Sequence, residues 1–201
     1  MSSPVTAAFY FDLGSPEAYL AAERILHVLP APAEWRPVLA RELPGVEAGE
    51  ERSDEERAGE ERSAFELRAH QAGLQPLRWP SPFPFDSSLA MRVASYARSI
   101  GRTVPFAQAA FRQAFAGGHS LENPDFVLIA AAACEMHPAA VLRGAEMRSV
   151  REQLAASTAE AAELGVTDIP AVVVNKYVFQ GPDAPERAAE HITADMAAHA
   201  R

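Results

Sequence analysis

The stretch Ser15-Pro16-Glu17-Ala18 holds the residues of this chain best placed to do chemistry. The apolar run Ala7-Ala8-Phe9-Tyr10-Phe11 before it reads as a buried strand, Asp12-Leu13-Gly14 as a tight turn, and residues 18–29 as a helix. Ser15 thus falls at a helix N-terminus, where three roles are open to a serine. As an N-cap its hydroxyl oxygen accepts an orphan amide, which stabilises a helix by about 1 kcal/mol. As a nucleophile it needs a general base. No Gly-x-Ser-x-Gly elbow is present, and His27, His70, His119, His137, His191 and His199 show no hydrolase context. Third, the hydroxyl and the partial positive charge of the helix start can together stabilise a thiolate brought by an external ligand. That role asks for nothing beyond Ser15 and its helix.

The chain has no thiol pair of its own. Cys134 is the single cysteine, which excludes an intrachain disulfide, a two-thiol redox cycle and a multi-cysteine zinc site. It follows Ile129-Ala130-Ala131-Ala132-Ala133 and reads as a small buried residue in an alanine-rich helix. Disulfide oxidoreductase activity is therefore not expected, and no metal site is expected.

A length of 201 residues suits one core, or one core with an inserted subdomain. No apolar run approaches the roughly 20 residues of a membrane span, and residues 1–6 lack the basic start of a signal peptide. A cytoplasmic protein away from membranes is expected. The net charge of −9 provides no basic footprint for a phosphate backbone, so nucleic acid is not an expected partner.

The elements that must position Ser15 lie at the two ends of the chain. Residues 34–39 read as a second strand, parallel to the first across the crossover that the first helix supplies. Strand signals then stop for over a hundred residues. Ser53-Asp54-Glu55-Glu56 and Ser63-Ala64-Phe65-Glu66 each match a capping box and predict two short helices. Residues 47–62, dense in Glu and Arg, read as a solvated helix or as a mobile cover over a cleft. The proline-rich run 76–85 excludes helix and central strand, and Trp79, Phe83 and Phe85 favour an ordered loop. Asp86 caps a helix ending at Gly101, Pro105 opens one ending at Gly117-Gly118, and Asn123-Pro124 and His137-Pro138 start two more. Residues 150–164 close the helical block at Gly165. Two strands, 171–175 and 177–179, turn at Asn175-Lys176, and residues 185–198 form a terminal helix.

In this order, β-α-β, helices, then β-β-α, Ser15-Pro16-Glu17-Ala18 stands where a thioredoxin-type fold carries Cys-x-x-Cys, and Gly165-Val166-Thr167-Asp168-Ile169-Pro170 stands where it carries a cis-proline loop. The run Phe9-Tyr10-Phe11-Asp12-Leu13-Gly14-Ser15-Pro16 resembles the branch of the DsbA-like superfamily that contains 2-hydroxychromene-2-carboxylate isomerases and kappa-class glutathione transferases. The likeness continues through residues 79–92, 165–170 and Phe179-Gln180-Gly181-Pro182-Asp183. It implies an α/β, thioredoxin-like domain from residues 1–40 and 165–201, interrupted by an all-helical insertion over 41–164.

The resemblance also implies glutathione as cofactor. Ser15 would activate its thiol, Ile169 before a cis-Pro170 would pair with its backbone, and Asp183 would take its γ-glutamyl ammonium. Pro170 can equally serve the fold alone, and Asp183 a turn with Gly181 and Pro182. Trp79, Phe83 and Phe85 are candidates for the wall of a small-molecule substrate pocket, or for core. The implied activity is glutathione-dependent isomerisation of an aromatic-derived small molecule, and the implied assembly a homodimer. A kappa-like glutathione transferase and a non-catalytic binding protein on the same scaffold are the alternatives. The chain departs from the family at Glu17, where an aromatic residue is usual and whose charge opposes a thiolate, at Pro182 and Ala184, and in lacking clear Asn and Lys ligands within 42–62.

Overall fold

The protein is seen here as a computed structural model that describes residues 5–45 and 55–199. Strand β1 (Ala7–Phe11) runs through the middle of a four-stranded sheet of order β2-β1-β3-β4. It pairs in parallel with β2 (Ala33–Pro37), Phe9 opposite Trp35, and antiparallel with β3 (Ala171–Val174), Phe9 opposite Val172. β4 (Tyr177–Gln180) closes the far edge antiparallel to β3. A strand flanked on both sides and covered on both faces must be apolar throughout, which is why β1 reads as an unbroken run instead of alternating. Phe9 and Phe11 are fully buried, and Trp35 meets Phe9 edge-on at 5.0 Å.

Helix α1 (Pro16–Val28) connects β1 to β2, and a 3-10 turn follows at Ala40–Glu42. Six helices then separate β2 from β3 among the described residues: α2 (Glu55–Gln71), α3 (Ser88–Ser99), α4 (Thr103–Phe115), α5 (Pro124–Ala132), α6 (Pro138–Glu146) and α7 (Arg148–Glu163). α8 (Ala184–His199) follows β4. The order is that of a thioredoxin-like fold with helices inserted between its halves. Their buried side chains belong to the same hydrophobic core as those of the sheet.

Most helix ends follow the local chemistry. Asn123 Oδ1 accepts the Asp125 amide at 2.9 Å and His137 Nδ1 that of Ala139 at 3.3 Å, each ahead of a proline at the first helical position. Gly101, at φ +73°, ends α3 with the Arg102 amide reaching back to the Ala97 carbonyl, the bond of a Schellman motif.

Three local expectations are revised. Ser63 does not open a helix: it lies inside α2, and its hydroxyl donates to the Gly59 carbonyl at 2.9 Å. Neighbours of high helix propensity carry the ladder through it, and a hydroxyl one turn after a carbonyl serves that carbonyl instead of capping. The N-cap position of α3 is Ser87, although Asp86 Oδ1 does accept the Ser88 amide at 3.0 Å. α4 begins at Thr103, two residues before Pro105. Ser53 and Asp54 of the first capping box, and residues 47–54 of the acidic stretch, lie outside the described residues; the remaining residues of the stretch, 55–62, are helical, and 59–62 are exposed.

Candidate functional site

Ser15 is the N-cap of α1. Its backbone is extended (φ −96°, ψ 119°), and its hydroxyl oxygen accepts the Ala18 amide at 3.1 Å. Accepting that bond leaves the hydroxyl its own proton to donate. Pro16 fits the first helical position because that residue needs no amide there.

Asp12 holds the turn that presents Ser15. Its carboxylate is buried, with Oδ1 accepting the Gly14 amide at 2.9 Å and Oδ2 the Ala40 amide at 3.0 Å, while its carbonyl accepts the Ser15 amide at 3.1 Å. Burial raises its pKa above the ordinary aspartate value, against the opposing pull of the Gly14 amide, the Ser87 hydroxyl and the Ala40 amide. Leu13, next in the turn, is fully buried. In sequence Asp12 reads only as a turn former, because nothing local distinguishes a buried carboxylate with two amide partners from any Asp in an Asp-x-Gly turn.

The proline loop lies at the same end of the sheet. Tyr10 is the register partner of Ala171, so Pro170 sits beside the end of β1 from which the Ser15 turn departs. The Ile169–Pro170 bond is cis, as expected, and so are Ser81–Pro82 and Phe83–Pro84, which no local sequence signal marks. Gln180 Oε1 accepts the Thr167 and Asp168 amides at 2.6 and 2.9 Å, and the Pro170 carbonyl accepts the Gly181 amide at 3.0 Å. The Ile169 amide donates to Asp168 Oδ1 at 2.7 Å, and Ile169 is buried. A peptide ligand using that amide has to displace the carboxylate.

Along the flank of α1 runs a cleft of about 350 Å³ lined by Glu17, Leu20 and Arg24 of α1, Arg68, Gln71 and Ala72 at the end of α2, and Pro182 and Asp183 before α8. Asp183 is exposed on its wall. Arg24 is anchored there, donating to the Pro182 carbonyl at 2.8 Å and pairing with Glu186 at 3.1 Å. Arg68 stacks over the Phe65 ring, 4.3 Å from its centroid, and lies 3.8 Å from Glu17. Partial burial raises the pKa of Glu17; Arg68 opposes that shift, and Asp168 and Glu61 add to it. Glu17 thus lines the cleft beside Arg68. Arg24, Arg68 and Gln71 carry no local sequence signal as cleft residues, because Glu17, Leu20 and Arg24 form an ordinary mixed polar and apolar face of α1.

The aromatic candidates pack on one another. Trp79 meets Phe83 at 5.0 Å and Phe65 at 6.0 Å, Phe83 meets Phe115 at 6.2 Å and Phe85 at 6.4 Å, and Phe115 stacks on Tyr19 at 5.6 Å. The Trp79 indole N–H donates to Glu66 Oε1 at 3.0 Å, and the Arg78 amide to the Phe115 carbonyl at 2.8 Å, so the proline-rich loop is pinned to α2 and α4. All three aromatics are half-buried. Cys134 is buried beyond the end of α5, where desolvation raises its pKa against the pull of Arg102. No cluster of metal-ligating side chains occurs among the described residues, and no described helix is long and apolar enough to cross a membrane.

A four-stranded sheet of this order with a cis-proline beside a helix N-terminus defines a thioredoxin-like class, and residues 6–193 match the DSBA-like thioredoxin domain. The chain belongs to that family. Among solved structures it is similar to 2-hydroxychromene-2-carboxylate isomerase (TM-score 0.85, 15% identity, 97% of this chain and 98% of that one). It is also similar to a probable DsbA oxidoreductase from Streptomyces coelicolor (TM-score 0.77, 19% identity, 95% and 89%). A third likeness is to the cytosolic disulfide reductase DsbM from Pseudomonas aeruginosa, solved with glutathione (TM-score 0.63, 12% identity, 94% and 99%). No curated protein matches the sequence.

Proposed function

We propose that this protein is a glutathione-dependent isomerase of an aromatic-derived small molecule, similar in activity to 2-hydroxychromene-2-carboxylate isomerase. The observation that carries the reading is the Ser15 hydroxyl at the start of α1, on the cis-Pro170 side of the sheet, in a chain whose single thiol is buried elsewhere. A helix start with a hydroxyl donor favours a bound thiolate and offers no route to disulfide exchange. The charged groups of the cleft suit a ligand with amino-acid ends: Asp183 for an ammonium and Arg68 for a carboxylate. Bound glutathione would supply a nucleophilic sulfur that adds reversibly to a conjugated double bond and leaves after rotation, with no net redox change. Ser15 would donate to that sulfur, and the cleft walls would hold the tripeptide in register. Likeness to the isomerase and to a reductase solved with glutathione supports the reading.

Calorimetric titration with reduced glutathione tests it. Binding should be lost in part in Ser15→Ala, with the bound thiol's pKa raised, a change equivalent to about 1.5–3 kcal/mol for a hydrogen bond to a charged group. A retained glutathione adduct with an electrophile, in place of isomerised product, would mean a transferase. Occupation of the Ile169 amide by Asp168 favours a second reading, a non-catalytic binding protein. Absence of glutathione binding at millimolar concentration would establish that second reading over the first.

A further inference from the structure

Two arginines line the cleft along α1, and they are held differently. Arg24 is tied into the wall, its guanidinium 3.1 Å from Glu186 and donating to the Pro182 carbonyl at 2.8 Å. Arg68 is steadied over the Phe65 ring, 4.3 Å from the centroid, while its Nη2 stands 3.8 Å from Glu17 Oε1. That separation is well beyond the roughly 2.7–2.9 Å of a charge-assisted hydrogen bond, so the pair attracts without closing. We infer that Glu17 is a displaceable stand-in for a ligand carboxylate: Arg68 exchanges Glu17 for the α-carboxylate at the γ-glutamyl end of glutathione and so selects ligands that carry one, an assignment that rests on the thiol-dependent reading above.

The fold brings the exchanging groups to one place. Glu17, Leu20 and Arg24 fall three and four residues apart on one face of α1, Arg68 and Gln71 three apart on one face of α2, and both faces line the same cleft of about 350 Å³. Asp183, just before α8, lines it as well. In glutathione an ammonium and an α-carboxylate share one carbon at the γ-glutamyl end, whereas the glycyl end has a carboxylate alone. A carboxylate and a guanidinium lining one cleft therefore match the γ-glutamyl end. Little holds Glu17 in place: a half-buried pair at that distance contributes weakly, and the carboxylates of Asp168 and Glu61 act against its charge. The Phe65 ring covers a face of the Arg68 guanidinium, and the donors of a guanidinium lie in its edge. A planar carboxylate reaching that edge forms two parallel N–H···O bonds, a geometry Glu17 does not attain.

The test is two crossed comparisons by calorimetric titration at one pH and ionic strength. Reduced glutathione is titrated into the wild type, Glu17→Gln, Arg68→Met and the double variant. Glu17→Gln should bind roughly three- to tenfold tighter than the wild type and Arg68→Met about tenfold weaker, whereas in the Arg68→Met background Glu17→Gln should change binding by less than about twofold. The second comparison changes the ligand. Glutathione with its γ-glutamyl α-carboxylate amidated should bind the wild type about tenfold more weakly than glutathione does, and should bind Arg68→Met equally well. Equal tightening by Glu17→Gln with and without Arg68 means general repulsion of an anion and overturns the assignment. No tightening, or undiminished binding of the amidated ligand to the wild type, overturns it too, and all three results leave the thiol-dependent reading standing. Failure of the wild type and Glu17→Gln alike to bind glutathione overturns both. If a variant does not fold, the two ligands on the wild type decide.

Discussion

Asp12 and Ala40 are joined by a 3.0 Å hydrogen bond from the Ala40 amide to Asp12 Oδ2, which ties the turn carrying Ser15 to the segment after β2. The other carboxylate oxygen takes the Gly14 amide, so both oxygens face donors and an amide side chain cannot satisfy both. Asp12→Asn should therefore lower stability by about 1–3 kcal/mol, the cost of leaving one buried donor without its acceptor. The loss should also depend on pH. Because burial raises the native pKa of Asp12 above the ordinary value of 3.8, the native chain holds more protons than the unfolded one between those two values. The contribution of Asp12 is thus fully present below the unfolded pKa and is lost as pH rises through the native one. Urea unfolding at mildly acidic and neutral pH should show the wild type exceeding Asp12→Asn by more in acid; a gap that narrows in acid contradicts the assignment.

Cys134 is 7% exposed, and its thiol is pushed up by burial, so it is a poor nucleophile. Cys134→Ser should cost about 1 kcal/mol for the buried hydroxyl and leave turnover of any substrate unchanged. Neither protein should reduce or oxidise a disulfide substrate; an activity abolished by the substitution would return the chain to disulfide chemistry.

Trp79 bridges Phe65, Phe83 and Glu66, and its role as packing or as substrate wall is open to experiment. Trp79→Ala should lower stability by roughly 1–3 kcal/mol, below the range for a fully buried aromatic because the indole is only half-buried. If the ring is packing alone, thermal midpoint falls while KM for the aromatic substrate stays constant. A rise in KM at unchanged stability assigns Trp79 to the pocket.

Gly144 of α6 lies against the Tyr96 ring of α3. A Cβ there would lie 2.6 Å from Cε2 of Tyr96. Overpacking of that kind costs roughly 1–3 kcal/mol, and the better helix propensity of alanine returns about 1, so Gly144→Ala should be destabilising by roughly 1 kcal/mol. Calorimetric unfolding of the double variant with Tyr96→Leu, which relieves the contact, should recover most of the loss.

The sequence by itself determined what depends on neighbours along the chain. The continuous apolar run of β1, the serine before Pro16, the proline devices at Asn123 and His137, and the turn at Asn175 all act within a few residues, and each lies where its local chemistry puts it. Ser63 shows the limit of the same logic, since a serine three residues before a glutamate caps a helix only if no helix already arrives from its N-terminal side. The cleft was decided by tertiary structure, because Glu17, Arg68 and Asp183 meet only when α2 and the start of α8 pack against α1. So was the pairing of Asp12 with Ala40, and the engagement of the Ile169 amide by Asp168. Burial and direction of a charged side chain are properties of the packed chain: the same carboxylate is a solvated surface group or a buried clamp according to which distant backbone amides close over it.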